Sequence, residues 1–135
     1  MYSTKQSAAK YARGWRKTAR YRSWRRRYTK RNRLKLRSQQ RQYRKKLRIN
    51  VLLRYGGKCQ CCNEANEGFL TIDHIRGGGR EHRKRMGGAG SIIYAWLRMN
   101  NYPRGFRVLC MNCNLSVSKG RGICAHKLKV LDEKK

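Results

Sequence analysis

Acidic residues are almost missing from this chain of 135 residues. Six Asp and Glu stand against 36 Lys and Arg, for a formal net charge of +30, and no acid precedes Glu64. Self-repulsion on that scale disfavours a compact solitary chain, so a polyanionic partner is expected. Nucleic acid is the expected polyanion, through phosphate contacts and counterion release, with a membrane surface less favoured. Long apolar runs are missing as well. Nothing approaches the ~18 apolar residues of a membrane-spanning helix. The basic N-terminus lacks the apolar stretch of a secretory signal. Its Arg-rich, acid-free start would suit an organelle-targeting segment, but its aromatic content and length favour a functional arm. The expected location is the interior of a host cell, with an organelle as the alternative. Histidine is also scarce, at three residues.

What is present is unevenly spread. Residues 1–54 hold 21 Lys and Arg. Tyr11, Trp15, Tyr21, Trp24, Tyr28 and Tyr43 are interleaved with them. This stretch is too poor in apolar residues to fold alone. Trp15 and Trp24 are therefore read as base-stacking groups. Tyr43, Leu47, Val51 and Tyr55 recur every four residues, which predicts a helix over about 33–55 that Gly56-Gly57 stops. With no acids to pair with, its cations are assigned to phosphate contact. The domain layout expected is a basic, largely helical arm over 1–54, a small α+β domain over 55–126 and a tail over 127–135.

Within the domain, Phe69–Ile75 reads as a strand and Phe106–Leu109 as a second. Gly77 to Arg85 reads as a flexible basic loop. Ser91 is a candidate N-cap for an amphipathic helix over Ile92–Met99, on which Tyr94 and Trp96 are expected in the core. A short helix is predicted over about Met111–Ser118.

Six cysteines in an intracellular-looking chain favour a metal over disulfides. Cys59-x-x-Cys62 and Cys110-x-x-Cys113 form two knuckles whose four thiolates suit one tetrahedral zinc ion, a closed site that staples a small core. A start at Cys59-x-Cys61 ranks lower because its bite is short. Cys124 and His126 could form half of another site, but no partners are evident in the sequence. A packed Cys beside a surface His is the preferred reading.

Asp73-His74 falls inside the apolar run Phe69–Ile75, and Asn114 directly follows the second knuckle. Asp73 and the amide oxygen of Asn114 are hard ligands suited to Mg²⁺ or a similar ion, while neutral His74 can take a proton from water. Period-2 geometry would put Asp73 and His74 on opposite faces unless the strand ends there. His82, Arg80, Arg83 and Arg85 read equally as groups that grip phosphate or position water, or as a solvated basic loop. Arg25, Arg26, Arg27, Arg44, Lys45 and Lys46 complete the candidate nucleic-acid contacts.

Cys-x-x-Cys, then Ile-Asp-His-Ile, then Leu-Cys-x-x-Cys-Asn resembles the HNH (ββα-metal) endonucleases, in particular the branch similar to phage recombination endonuclease VII. The resemblance covers roughly residues 55–126. It implies zinc on Cys59, Cys62, Cys110 and Cys113, His74 as general base, and Asp73 with Asn114 on one Mg²⁺ or similar ion. The implied activity is an endonuclease hydrolysing phosphodiester bonds, in DNA ahead of RNA, leaving 5′-phosphate and 3′-hydroxyl ends. A homodimer would be needed for cutting branched junctions. The Asn that orients the base in that family has no clear match; Asn100 and Asn101 lie nearby but before Pro103. The rival expectation is a non-catalytic zinc-containing nucleic-acid-binding protein, such as a ribosome-associated RNA-binding component.

Overall fold

The computed structural model describes residues 5–120 and 122–127. Its elements run α1 (Lys5–Arg16), α2 (Ala19–Arg31), α3 (Arg33–Arg54), a 3₁₀ turn (Glu67–Phe69), β1 (Leu70–His74), α4 (Gly79–Met86), α5 (Ser91–Met99), β2 (Phe106–Cys110) and α6 (Met111–Lys119). The fold is α+β, mostly helical, with one two-stranded sheet. Among the described residues, no helix is long and apolar enough to cross a membrane.

Packing divides the chain into two units, Met1–Gln42 and Tyr43–Lys135. The change in composition falls at 54/55, whereas the packing boundary falls inside α3. The reason is the apolar stripe. Leu47, Val51 and Leu52 are buried and tie the second half of α3 to the core of the second unit.

In the first unit, Thr18 joins α1 to α2. Its hydroxyl donates to the Trp15 carbonyl (2.8 Å) and accepts from the Tyr21 N–H (3.1 Å), satisfying an otherwise orphaned helix-start donor. The turn brings four rings together. Trp15 meets Tyr21 edge-on at 4.5 Å between centroids, and Trp24 stacks on Tyr28 at 5.4 Å. Trp15 and Trp24 thus pack on aromatic neighbours without entering a buried core. Each keeps over a third of its surface exposed, 42% and 46%.

In the second unit, β1 and β2 pair antiparallel, with Ile72 opposite Val108, Asp73 opposite Arg107 and His74 opposite Phe106. Val51, Ile93 and Leu97 form one cluster with Ile72 and Phe106 against it; Leu52, Leu70, Val108, Leu109 and the buried cysteines form a second. Burying each large aliphatic side chain contributes about 1.5–3 kcal/mol. Tyr94 and Trp96 pack against the first cluster, as expected. The Gly56-Gly57 stop is also present: the N–H of Gly57, with φ +66, donates to the Leu52 carbonyl at 2.9 Å.

Two local expectations are corrected. The segment read as a flexible loop contains helix α4, entered through Gly77 and Gly78 at φ +74 and +78. Glu81 in its first turn and Arg83, Lys84 and Arg85 in its last complement the helix dipole, which the Gly run had masked. The cap of α5 is Gly90, and Ser91 is the first helical residue. Gly90 has φ +58, and its carbonyl accepts from the Tyr94 N–H at 3.2 Å.

Candidate functional site: a basic groove beside a thiol cluster

The sheet ends where the chemistry gathers. β1 ends at His74; the Ile75 N–H adds one last bond in the same register, to the Gly105 carbonyl at 3.0 Å, and the Gly77-Gly78 turn then leads into α4. A groove of about 870 Å³ opens at this end. Asp73 and His74 line it from the strand, Gly79, Arg80 and Arg83 from α4, and Asn114 from the first turn of α6. The strand terminus thus lets two neighbouring residues of opposite facing share one groove.

His74 is held by a second histidine. Its Nε2 lies 2.8 Å from Nδ1 of His82, and its ring meets Phe106 edge-on at 4.7 Å. The loop reading of His82 is therefore corrected. It is buried on α4 and packs edge-on against Trp96 at 4.4 Å between centroids. Its Nε2 is buried without a hydrogen-bond partner among the described residues. On the other side of His74, a Cβ at Gly79 would stand 3.1 Å from Nδ1, so only glycine leaves that nitrogen uncrowded. Burial, then the positive potential of His82, pulls the His74 pKa below its usual 6.5 against the opposing pull of Asp73; Arg83 lowers it further. A neutral imidazole at neutral pH is the consequence.

Asp73 has an unexpected partner. Arg107, opposite it in the register, donates from Nε to Oδ2 at 2.7 Å, and both side chains are largely buried. The other carboxylate oxygen, Oδ1, is not used by that bond. Asp73 and Asn114 both line the groove, and a carboxylate and an amide oxygen are hard donor types.

The expected four-cysteine group is assembled. The sulfurs of Cys59, Cys62, Cys110 and Cys113 all lie within 4.8 Å of one another and could hold a metal ion such as zinc. The first knuckle is pinned to β2 by the Gln60 N–H donating to the Val108 carbonyl at 3.0 Å. Cys110 caps α6, its sulfur accepting the Cys113 N–H at 3.4 Å. Because Asn114 follows Cys113, the thiol cluster fixes the end of α6 that faces the groove. Burial pushes the Cys59 thiol up, but N–H donors at Cys62, Cys110 and Cys61 outweigh it and hold the pKa at about 7. Burial and neighbouring thiols push Cys113 strongly upward. Crowded sulfurs of this kind ionise together only around a cation.

Cys124 is buried and His126 exposed, as the preferred sequence reading has them, but both have partners that the sequence does not show. With Cys61 and Cys113 they form a second group whose ligand atoms also lie within 4.8 Å of one another. The distant part of this group is brought in by Gly120, where any Cβ would collide with the carbonyl oxygens of Ile123 and Ser116. The Ser116 hydroxyl then accepts the Ala125 N–H at 2.8 Å. The spacing Cys124-x-His126 was the available signal, but its partners lie 63 and 11 residues away from Cys124 and only folding joins them.

The basic candidates separate by place. Arg25, Arg26 and Arg27 are exposed on α2, and Arg44, Lys45 and Lys46 on α3, where Lys45 also lies 3.5 Å from Glu67. Arg80 and Arg83 line the groove; Arg85 is exposed on α4 but is not among the lining residues. Comparison with protein-family models, with curated proteins and with solved structures finds no match.

Proposed function

We propose that the second unit is a divalent-metal-dependent endonuclease of the HNH (ββα-metal) type, acting on DNA, and that the basic first unit supplies non-specific affinity. The observation that carries this reading is the single groove lined by Asp73, His74 and Asn114 together with Arg80 and Arg83. A carboxylate and an amide can hold a hard divalent ion and an imidazole can deprotonate water, a set sufficient for metal-assisted hydrolysis of a phosphodiester. The motif resemblance supports the same assignment.

His74 acts as the general base. The pair with His82 admits two tautomers, and they have opposite consequences. When His74 Nε2–H donates to His82 Nδ1, the lone pair of His74 Nδ1 is free to accept a proton. The reverse tautomer puts the proton on His74 Nδ1 and blocks it. The active form is the first, with the buried His82 Nε2–H directed among aromatic rings rather than to an oxygen. His74 takes a proton from a water, whose oxygen forms a bond to phosphorus as the bond to the leaving 3′ oxygen breaks. Arg80 and Arg83 hold the phosphate by its negative oxygens. Mg²⁺ or a similar ion, held by Asp73 and Asn114, would neutralise charge developing on the leaving oxygen. The expected zinc on Cys59, Cys62, Cys110 and Cys113 has a structural role, since a four-thiolate site leaves no open position.

The test is cleavage of supercoiled, linear and four-way-junction DNA, with structured RNA beside them, by zinc-loaded full-length protein with Mg²⁺ added or omitted. Mg²⁺-dependent cutting is expected, lost in His74→Ala while DNA affinity stays nearly unchanged. Intact substrates under Mg²⁺, Mn²⁺, Co²⁺ and Ni²⁺ would overturn the enzyme reading.

One observation favours the second reading, a non-catalytic zinc-containing protein that binds RNA or DNA. Arg107 already neutralises Asp73 at 2.7 Å, as it would in a groove that binds phosphate without a metal. Under that reading His74→Ala and Arg80→Ala both weaken binding, and no ion induces cutting.

A further inference from the structure

The two donor groups described above have one member in common, the buried Cys113. Together they use all six cysteines of the chain and one of its three histidines. We propose that this protein binds two zinc ions in a single cluster, with the Cys113 thiolate bridging them. Cys59, Cys62 and Cys110 complete one tetrahedron; Cys61, Cys124 and His126 complete the other.

Donor count supports the bridge. Two four-coordinate ions need eight ligand positions, and seven side chains are present; one shared sulfur closes the difference. The spacing supports tetrahedral metal in both halves. With Zn–S of about 2.3 Å and Zn–N of about 2.0–2.1 Å, a tetrahedron has S···S edges of roughly 3.8 Å and S···N edges of roughly 3.5 Å. Cys62 and Cys110 sulfurs stand 3.7 Å apart. His126 Nδ1 stands 3.4 Å from Cys113, 3.5 Å from Cys124 and 3.8 Å from Cys61.

The backbone prepares both halves independently. Asn63, at φ +62, folds the first knuckle so that Cys59, Cys61 and Cys62 diverge toward different partners, and its N–H returns to the Cys59 carbonyl at 3.0 Å. The Gly120 turn and the Lys127 N–H on the Cys124 carbonyl, at 2.8 Å, hold the second half. Charge is also satisfied. Six thiolates and two dications leave the cluster at −2, which is tolerable in a chain of net charge +30. Thiolate and imidazole donors in tetrahedral array select zinc over Mg²⁺ or Ca²⁺. A single ion in the four-cysteine site would instead leave Cys124, at 3% exposure, and Cys61 as thiols pressed against His126 with no common acid to join them.

Metal analysis of the full-length protein, purified under reducing conditions, tests this. Two zinc ions per chain are expected by native mass spectrometry. Cys124→Ser and His126→Ala should each fall to one zinc while keeping the helical circular-dichroism signal. One zinc in the wild type, unchanged in both variants, would overturn the proposal. The bridge is read separately by ¹¹³Cd substitution. Two resonances showing through-bond coupling to each other are expected; two uncoupled resonances would remove the bridge, and one resonance would remove the second site.

Discussion

Nε2 of His74 lies 2.8 Å from Nδ1 of His82, which joins the end of β1 to a buried residue of α4. Under the proposed endonuclease reading, this contact would take over the orienting role of the Asn that has no clear match in this chain. It also makes His82 a positioning residue. His82→Ala should lower kcat by about 100-fold through misplacement of the His74 ring, with DNA affinity unchanged. His82→Asn, which can still accept from Nε2–H, should recover part of the loss. Equal recovery by His82→Leu would show that the ring only fills space.

Gly79→Ala should separate activity from stability. Alanine favours a helix interior over glycine by roughly 1 kcal/mol, but Gly79 opens α4 and its added Cβ is crowded, so the melting temperature should change little. The added Cβ, 3.1 Å from His74 Nδ1, crowds the nitrogen assigned as the base, so cleavage should fall about tenfold or more. Full activity with little change in stability would mean that the proton is taken elsewhere.

Arg107→Ala tests whether Asp73 accepts a metal. Removing the guanidinium leaves a largely buried carboxylate without its partner, so the variant should lose about 1–3 kcal/mol without Mg²⁺. Millimolar Mg²⁺ should then raise its melting temperature more than it raises that of the wild type. Equal Mg²⁺ shifts in the two proteins would argue against Asp73 as a ligand.

The pH dependence has a definite sign. Burial first, and then His82, depresses the His74 pKa below 6.5. The protonated ring cannot accept from water, so kcat/KM should be flat above 6.5 and decline as pH falls through the lower, folded-state value. Linkage gives stability the same direction. A depressed folded pKa contributes stability above the unfolded value of about 6.5, and that contribution is lost as pH falls through the folded pKa. An activity midpoint above 6.5 would assign the limb to another group.

Much of this arrangement could be read from residue order alone. The four-residue recurrence of Leu47 and Val51 marked the buried face of α3, and two Cys-x-x-Cys pairs marked the thiol group, because both signals are local. The Asp73–Arg107 pair was not legible, since it depends on a strand register that places residues 34 apart opposite each other. His82 was hidden for a related reason. Four cations crowd its neighbourhood, Arg80, Arg83, Lys84 and Arg85, so the segment looked solvated; the helix turns one histidine inward and leaves the cations outside. The second donor group needed a chain reversal at Gly120, whose requirement is a close backbone approach that no spacing rule announces.

The seven side chains of the two donor groups are not equally reachable. Cys62 and His126 are exposed and Cys61 is half-buried, whereas Cys59, Cys110, Cys113 and Cys124 are shielded. Chelators, oxidants and incoming ions would therefore meet the two groups at their rim, and the sulfurs of Cys59 and Cys113, both at 0% exposure, would be the last reached. One of those two sulfurs adjoins Asn114, so the groove leans on the shielded side of the cluster rather than on its open edge.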